Sequence, residues 1–261
     1  MGSLLIVLSL ATLAGAPSAG AHEAQAQSVV ATLQDVFHDY GEADALAHAD
    51  RFDVFAKRLA DARVLARDSG GKLGGMTWRL EQLERAILRR EPAGAVEGRA
   101  AALIRRIVQA ERLPHAPTAP PDLGHGKQLY AVACASCHGA DGFARTPLAA
   151  TLTPPPASFQ DADDMSRVTP YQLANVIRFG VPDTAMPSYD ESLPAAERWE
   201  IAFYVMSLRF PACTQPPPPA SLEELATTSD RDLALARGPE NTSCLRHPPD
   251  ALTLAVRAMR L

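Results

Sequence analysis

The sequence predicts an all-α protein in which an N-terminal helical bundle is followed by a second helical domain. Three observations predict this class. Apolar residues recur at intervals of three and four over residues 28–113, glycine and proline interrupt that spacing at separated points, and no βαβ pattern surrounds the cysteine pair of the second half. The same observations divide the chain into segments, which are taken here in order.

The composition is that of an ordinary soluble globular protein. Hydrophobic residues make up 47% of the 261 residues and charged residues 21%. A formal net charge of −5 gives no electrostatic basis for binding nucleic acid. The 22 prolines cluster after residue 113, which predicts linkers and loops in that half of the chain.

Residues 1–21 predict a signal peptide and therefore export to the periplasm. Leu4 to Ala14 is a short apolar run, and Ala19–Ala21 before His22 is an A-x-A cleavage site. The run lacks a preceding Lys or Arg, which a misassigned start codon or an uncleaved anchor would explain. Beyond it, no stretch approaches the roughly 20 apolar residues of a membrane span, and the best candidate, Ile201–Leu208, is too short. We therefore expect no transmembrane span after signal cleavage.

Residues 28–113 predict a bundle of four amphipathic helices. Gly70–Gly75 separates the second helix from the third, and Glu91–Gly94 separates the third from the fourth. Short connections of this kind favour antiparallel neighbours. The four apolar stripes are Val30, Leu33, Phe37 and Tyr40; Phe52, Phe55 and Leu59; Met76, Leu80, Leu83 and Ile87; and Ala100, Leu103, Ile107 and Val108.

Three further segments follow the bundle. Residues 114–121 form a proline-rich linker, which we expect to be stiff and extended, and residues 122–212 form the second domain. Residues 213–261 form a proline-rich and helical tail, in which Ser221 and Glu224 predict a capping box for a short helix ending near Gly238. Asp250 is a candidate cap for a last amphipathic segment over residues 251–261.

Two side-chain groups outside the main motif have open interpretations. Cys213 and Cys244 are expected to form a disulfide in an oxidising compartment, and two free thiols are the alternative. The cluster of His38, Asp39, Glu42 and Asp44 could contact a cation, although such clusters are more often solvated helix ends.

The chemistry of the chain is concentrated in Cys134–His138, which is a C-x-x-C-H motif. Two thiols one helical turn apart can add to the two vinyl groups of a porphyrin, and the adjacent imidazole then faces the iron. The motif therefore predicts one covalently attached haem c held by Cys134, Cys137 and His138. A zinc site would require a second cysteine or histidine pair, and a thioredoxin-like redox pair would require a βαβ pattern; a structural disulfide within the motif is a third alternative.

The second axial ligand is predicted to be Met186. It lies in the proline-flanked loop Gly180–Tyr189, where the backbone can hold a thioether against the opposite haem face. Met165 and Met206 are the competing donors, and a bis-histidine haem through His125 is a less favoured alternative. With His138 and Met186 on the metal, oxygen chemistry is blocked and one-electron transfer remains. We therefore expect an electron carrier with no catalytic residue of its own.

Side chains and carbonyls around the haem are predicted from the same motif. His138 should donate its second ring N–H to a carbonyl, for which the Pro147 carbonyl is our choice. The segment Pro154–Phe159 is expected to wall the haem edge, with Ser158 or Arg178 near a propionate.

Residues 122–211 resemble a class I cytochrome c. In that family the first and last helices cross near a glycine and an aromatic residue. Gly126, Leu129 and Tyr130 precede the cysteines here, and Trp199, Phe203, Tyr204 and Leu208 lie on the predicted last helix.

Most of the mature chain also resembles the periplasmic cytochrome-containing region of bacterial high-affinity iron permeases. Those permeases continue into a multi-span membrane domain with R-E-x-x-E motifs, which this sequence lacks, so the chain is expected to be a split soluble partner or a piece of a longer protein. The resemblance implies a redox partner for a membrane iron permease; a cytochrome subunit that accepts electrons from a periplasmic dehydrogenase is the alternative. The segments carrying it are Leu129–Gly142, Pro154–Phe159, Thr169–Leu173, Gly180–Met186, Trp199–Arg209 and Leu222–Ala226.

Overall fold

The computed structural model describes residues 18–45 and 49–249, without the side chains of residues 42–45, 49 and 50. Every regular element in these ranges is helical, which confirms the predicted all-α class. The helices are α1 Ala19–Ala45, α2 Ala49–Ser69, α3 Gly71–Gly74, α4 Thr77–Leu88, α5 Ala93–Glu111, α6 Leu123–Ala133, α7 Ala135–His138, α8 Ala162–Met165, α9 Pro170–Phe179, α10 Ala195–Ser207, α11 Leu222–Thr227, α12 Asp230–Arg237 and α13 Pro239–Arg246. A 3-10 turn over Ala149–Thr151 adds one short element.

Helices α1, α2, α4 and α5 form the N-terminal bundle, with α1 packed on α2 and α5, and α4 packed on the other sides of α2 and α5. The predicted stripes supply the bundle core with two exceptions, of which Val108 is partly buried and packs against the core. Phe37 is 37% exposed, because Val36, which is 1% exposed, takes the core position on that turn of α1. Phe37 consequently lies at the edge of the stripe and faces a groove between α1 and α5.

Helices α6 and α10 cross at Gly126, as the sequence predicts. A Cβ atom on Gly126 would lie 2.3 Å from the Glu200 carbonyl oxygen, so only a hydrogen fits between the two helices. The rings of Tyr130 and Tyr204 meet edge to face beside the crossing, with centroids 5.3 Å apart. Helix α9 packs on α10 and completes the core of this region.

The bundle packs directly on α9, mainly through neutral side chains. The Tyr171 hydroxyl donates to Gln27 Oε1 at 2.7 Å, and Asn175 Nδ2 donates to Gln34 Oε1 at 2.8 Å. Gln27 Nε2 also donates to the Pro114 carbonyl, at 2.7 Å, so the proline-rich segment lies against the bundle. These contacts place α1 alongside the helix that leads into the Met186 loop.

The tail folds against the back of α10. Phe203 of α10 joins the apolar cluster of the tail, and a disulfide between Cys213 and Cys244 closes the tail, as expected for an exported chain. The predicted helix from Ser221 to Gly238 is wrong in one respect, since the chain breaks at Thr228 and Ser229 caps a second helix. The Ser221 cap is present, with its Oγ accepting from Glu224 N at 3.0 Å.

The Glu224 carboxylate does not complete a capping box. It accepts three hydrogen bonds from the Arg237 guanidinium, at 2.6, 2.7 and 3.0 Å, and so joins α11 to α12. Within the described ranges no helix combines the length and apolar character needed to cross a membrane. Residues 1–17 of the predicted signal peptide, and the predicted Asp250 cap with residues 251–261, lie outside the described residues.

Candidate haem-binding site

The junction of α6 and α7 places two thiols and one imidazole on a single turn. Helix α6 begins at an Asp122 cap and ends at Cys134, whose carbonyl accepts hydrogen bonds from Cys137 N at 3.2 Å and His138 N at 2.9 Å. Cys134 and Cys137 are both free thiols, and they and His138 are half-buried. The turn thus presents the two predicted attachment residues and the predicted iron ligand together.

The imidazole of His138 is oriented by a backbone carbonyl. His138 Nδ1 lies 3.0 Å from the Ala157 carbonyl oxygen, so the predicted Pro147 partner is wrong. The reason is that Phe159 N donates to the Gly142 carbonyl at 2.7 Å, which brings the segment before Phe159 back across the motif. Residue Thr146, next to Pro147, donates to the Ser136 carbonyl at 2.8 Å instead.

The hydrogen bond to Ala157 also fixes the tautomer of the His138 ring. Because Nδ1 faces an acceptor that has no proton, Nδ1 carries the hydrogen and Nε2 keeps its lone pair. Burial lowers the pKa of His138, which favours the neutral form that binds iron. The arrangement therefore leaves His138 Nε2 available to a metal ion.

Two aromatic rings that the motif alone does not single out support this turn. The Phe159 ring stacks on the His138 ring, with centroids 4.4 Å apart and an interplanar angle of 15°. Tyr130 is 1% exposed, and its hydroxyl donates to the Gly139 carbonyl at 2.7 Å, just beyond the imidazole. Both lie in the segments that carry the family resemblances, but their partners depend on how the chain folds back.

The loop that carries Met186 is closed on itself. Gly180 adopts a φ of 69°, and a Cβ there would lie 2.6 Å from the Met186 carbonyl oxygen, so glycine is needed for this close approach. Val181 N donates to that same carbonyl at 3.2 Å, and Met186 N donates to Thr184 Oγ1 at 3.1 Å. The backbone on both sides of the methionine is thereby held, and its side chain is half-buried.

Tyr189 joins the methionine loop to the cysteine turn. Its hydroxyl donates to the Ala133 carbonyl at 2.9 Å, next to Cys134, and its backbone N–H donates to the Ile177 carbonyl at 3.1 Å. Burial raises the pKa of Tyr189, and the nearby Cys134 and Cys137 thiols raise it further. Tyr189 was missed by sequence reasoning; its place three residues after the predicted methionine ligand was the available signal.

The other predicted participants have different surroundings. Met165 and Met206 are 4% and 0% exposed inside the apolar core of this region. Arg178 donates to Asp190 Oδ1 at 2.8 Å and also lies 4.0 Å from Glu23 of the bundle. The Ser158 hydroxyl accepts a hydrogen bond from Gln160 N at 3.3 Å. His125 Nδ1 lies 2.7 Å from Glu200 Oε2.

The donor set fits a haem c better than the alternative centres. Burial raises the pKa of the Cys134 thiol to about 11, whereas a thioredoxin-like pair depends on a thiol of lowered pKa. Among the residues that the structure describes, no group of three or more His, Cys, Asp or Glu side chains could hold a metal, and this range excludes the side chains of Glu42 and Asp44. The large apolar side chains of Phe143 and Leu148 are 39% and 46% exposed within ten residues of His138, where a porphyrin would cover apolar surface.

Comparison with known families identifies this part of the chain. Residues 121–205 match the family described as cytochrome c oxidase, cbb3-type, subunit III. The match supports a class I c-type cytochrome domain in this segment. It spans about a third of the chain and does not extend to the bundle or the tail. No curated protein and no solved structure shows significant similarity to the chain.

The cytochrome domain implies covalently bound haem c, electron transfer and a redox partner. These follow from the family and agree with the arrangement of the cysteine turn.

Proposed function

We propose that the chain is a periplasmic mono-haem c-type cytochrome that carries single electrons, with Cys134 and Cys137 as attachment residues and His138 and Met186 as axial ligands. The observation that carries this proposal is that the imidazole and the methionine loop are both fixed by hydrogen bonds. His138 Nδ1 hydrogen bonds to the Ala157 carbonyl, and the Tyr189 hydroxyl joins the Met186 loop to the Ala133 carbonyl. The C-x-x-C-H motif occurs once in the sequence, and the two remaining cysteines are bonded to each other, which supports a single haem.

The residues of the site have separate tasks in this proposal. When bound, haem c supplies a one-electron Fe(III)/Fe(II) couple, and a thioether opposite imidazole favours Fe(II) and raises the reduction potential. His138 is kept in one tautomer by Ala157 and in one ring orientation by Phe159. Met186 would keep small ligands away from the haem iron, and the loop's hydrogen bonds hold the backbone on both sides of Met186 in place. A site that rearranges little on electron transfer suits a carrier.

The ligand assignment is tested by Met186→Ala in the purified haem protein. We expect haem to stay attached, the weak band of the oxidised protein at about 695 nm to disappear, and the reduced protein to bind CO. Met165→Leu is the matched control, since Met165 is packed in the core and a methionine-to-leucine exchange preserves volume. An unchanged band in Met186→Ala would overturn the assignment.

The attachment and the compartment are tested together. Cys134→Ser with Cys137→Ser should yield a chain without added haem mass, whereas Cys213→Ser with Cys244→Ser should retain it. Export predicts that the mature chain is recovered from the periplasmic fraction with a processed N-terminus and with haem attached. A cytosolic chain without haem, in a host able to mature c-type cytochromes, would contradict both parts.

We infer more narrowly that the electron partner serves a membrane iron permease. The support is the sequence resemblance of six segments to the cytochrome-containing region of such permeases, together with an acidic cytochrome region of ten Asp and Glu against six Lys and Arg. Such a surface favours a basic docking face on the partner. Deletion of the gene for this chain should lower the uptake of radioactive iron through the permease. Expression of the unchanged chain should restore the uptake, and expression of the Met186→Ala variant should not.

A respiratory role is the second candidate, and the family match favours it. The matched family is a subunit of an oxidase, so a chain similar to it could serve as the cytochrome subunit of a complex and accept electrons from a periplasmic dehydrogenase. Loss of substrate-dependent respiration with unchanged iron uptake in the deletion strain would select this candidate. The identity of the adjacent gene, permease or dehydrogenase, gives an independent comparison.

A further inference from the structure

A cavity of about 680 Å³ lies where the bundle, the cytochrome region and the tail meet. Its walls come from α1 and α5 of the bundle, from the turn before α9 and the first residues of α9, and from α11 of the tail. The volume is within the range of small-molecule sites, and such sites occur preferentially at junctions between domains. The cavity is separate from the cysteine turn and from the Met186 loop, none of whose residues line it.

One wall of this cavity is apolar. Phe37, Ile104 and Val108 line it from the bundle side. Phe37 belongs to a helical stripe whose other members are buried, yet it is 37% exposed here. A large aromatic side chain left open at a concave surface favours an apolar ligand group over bulk water.

The rim is cationic although the whole chain is acidic. Arg105, Arg112 and Arg167 line the cavity, and Glu223 is the one acidic side chain on it. Glu223 already lies 3.1 Å from His115 Nε2. Within residues 18–45 and 49–249 neither Arg105 nor Arg112 has an ion-pair partner, and the Asp164 partner of Arg167 is 3.6 Å away. On a chain of net charge −5, this concentration of unneutralised arginine indicates an anionic ligand.

The inner wall carries unused hydrogen-bonding groups. Gln172 is 8% exposed, and its side-chain amide makes no hydrogen bond with any residue that the structure describes. Gln34 is 6% exposed and uses only its Oε1, which accepts from Asn175, so its Nε2 has no described partner. Neither amide is a buried unsatisfied group, because its unpaired atoms reach solvent, and both are therefore available to a polar group of a ligand in the cavity.

We propose that this cavity binds a small amphipathic organic anion, with its apolar body on Phe37, Ile104 and Val108 and its charged group at Arg105 and Arg112. Gln34 and Gln172 would hydrogen bond to its polar atoms. The proposal is independent of the haem ligands, and it gives the bundle and the tail a shared role that the electron carrier alone does not require.

The proposal is tested by calorimetric titration of the haem-loaded full chain with decanoate, with 1-naphthoate and, as the neutral counterpart, with decanol. We expect saturable binding of at least one of the two carboxylates at one site per chain, and at least tenfold weaker binding of decanol. The double variant Arg105→Gln with Arg112→Gln should weaken carboxylate binding at least tenfold. Phe37→Ala should weaken it several-fold, and all variants should keep the haem spectrum.

The matched control is Arg106→Gln, on the same helix and exposed but absent from the cavity wall. It should bind as the unchanged chain does, which separates a built site from a general effect of positive charge. Absence of saturable binding by both carboxylates would overturn the proposal. Equal weakening in Arg106→Gln and the double variant, or equal affinity for decanoate and decanol, would overturn it as well. An altered haem spectrum in the double variant would overturn the separation of this cavity from the haem site.

Discussion

The bundle and the tail both dock on the cytochrome region, but they use opposite chemistry. The bundle contacts α9 mainly through neutral groups, with Tyr171 bonded to Gln27 and Asn175 bonded to Gln34. The tail contacts α10 through an apolar cluster and a buried charge network, and it is closed by a disulfide. Neutral hydrogen bonds contribute about 1 kcal/mol each, whereas removing one partner of a buried ion pair costs several. The two interfaces should therefore fail in different ways.

The charge network of the tail centres on Asp230. Its carboxylate accepts from Arg246 Nε at 2.6 Å and from Arg209 Nη2, the latter on the segment that follows α10. Arg246 is 2% exposed and also donates to the Leu225 and Thr228 carbonyls. One carboxylate thus pairs with two guanidinium groups and joins α12, α13 and the cytochrome region.

The largest expected effect is that of Asp230→Ala. The variant leaves Arg246 and Arg209 charged and enclosed without their counter-ion, so the free energy of unfolding should fall by about 3–5 kcal/mol. Urea unfolding followed by far-UV circular dichroism measures this. Glu240→Ala is the control, because Glu240 is exposed on α13 and should change stability by less than about 0.5 kcal/mol. A loss below about 1 kcal/mol in Asp230→Ala would contradict the network's importance.

The next effect is that of removing the disulfide by Cys213→Ser with Cys244→Ser. The bridge joins residues 31 positions apart, and a loop of this length predicts a loss of about 3.7 kcal/mol through the entropy of the unfolded chain. The tail should become sensitive to protease while the haem spectrum stays unchanged. Reduction of the unchanged chain with dithiothreitol should reproduce the variant. Equal protease resistance in both forms would show that the apolar cluster alone holds the tail.

Patterns of residues that are close together in the sequence predicted the helices and the cysteine turn. Apolar spacing predicts α2, α4 and α5 because each needs one buried face, and glycine and proline mark their ends. The C-x-x-C-H motif depends on residues within one turn, so the sequence shows the whole attachment set.

The Gly126 crossing and the Cys213–Cys244 disulfide were expected between distant segments, but most hydrogen bonds between distant segments were not predicted. The Ala157 carbonyl meets His138 only because the chain folds back at Gly142, and proximity along the sequence favoured Pro147 wrongly. Tyr189 on Ala133, Tyr171 on Gln27 and the Asp230 network each join residues that no local pattern relates. The exposure of Phe37 has the same origin, since a stripe position is buried only where another element covers it.

A third effect concerns the bundle, where the pKa of Asp35 on α1 is shifted. Burial, together with the nearby Asp39, raises the pKa of Asp35 to about 7, against the lowering by Arg58 and His38. Arg58 also donates to the Pro182 carbonyl of the methionine loop at 2.9 Å. Because the folded pKa lies above the unfolded value, ionised Asp35 destabilises the fold; this cost is absent below about pH 4, grows up to about pH 7 and stays constant above.

Asp35→Asn should therefore stabilise the chain at pH 8, by about 2 kcal/mol, and lose this advantage as the pH falls to about 4. Thermal unfolding at a series of pH values measures the difference. Asp53→Asn, at an exposed position of α2, should give no such pH dependence. A destabilising effect of Asp35→Asn at pH 8 would mean that the ion pair with Arg58 outweighs the burial of the carboxylate.

The smallest effect expected is at the neutral contact itself. Tyr171→Phe removes the hydroxyl that donates to Gln27 Oε1 and leaves the buried ring in place, so stability should fall by about 1 kcal/mol. Tyr204→Phe is the control, since the Tyr204 hydroxyl has no hydrogen bond with any described residue and its loss should cost less than about 0.5 kcal/mol. Combining Tyr171→Phe with Gln27→Leu should cost less than the sum of the single changes, because each already breaks the same bond. Strict additivity would show that Gln27 acts mainly through Pro114, and that the bundle is held to the linker more than to α9.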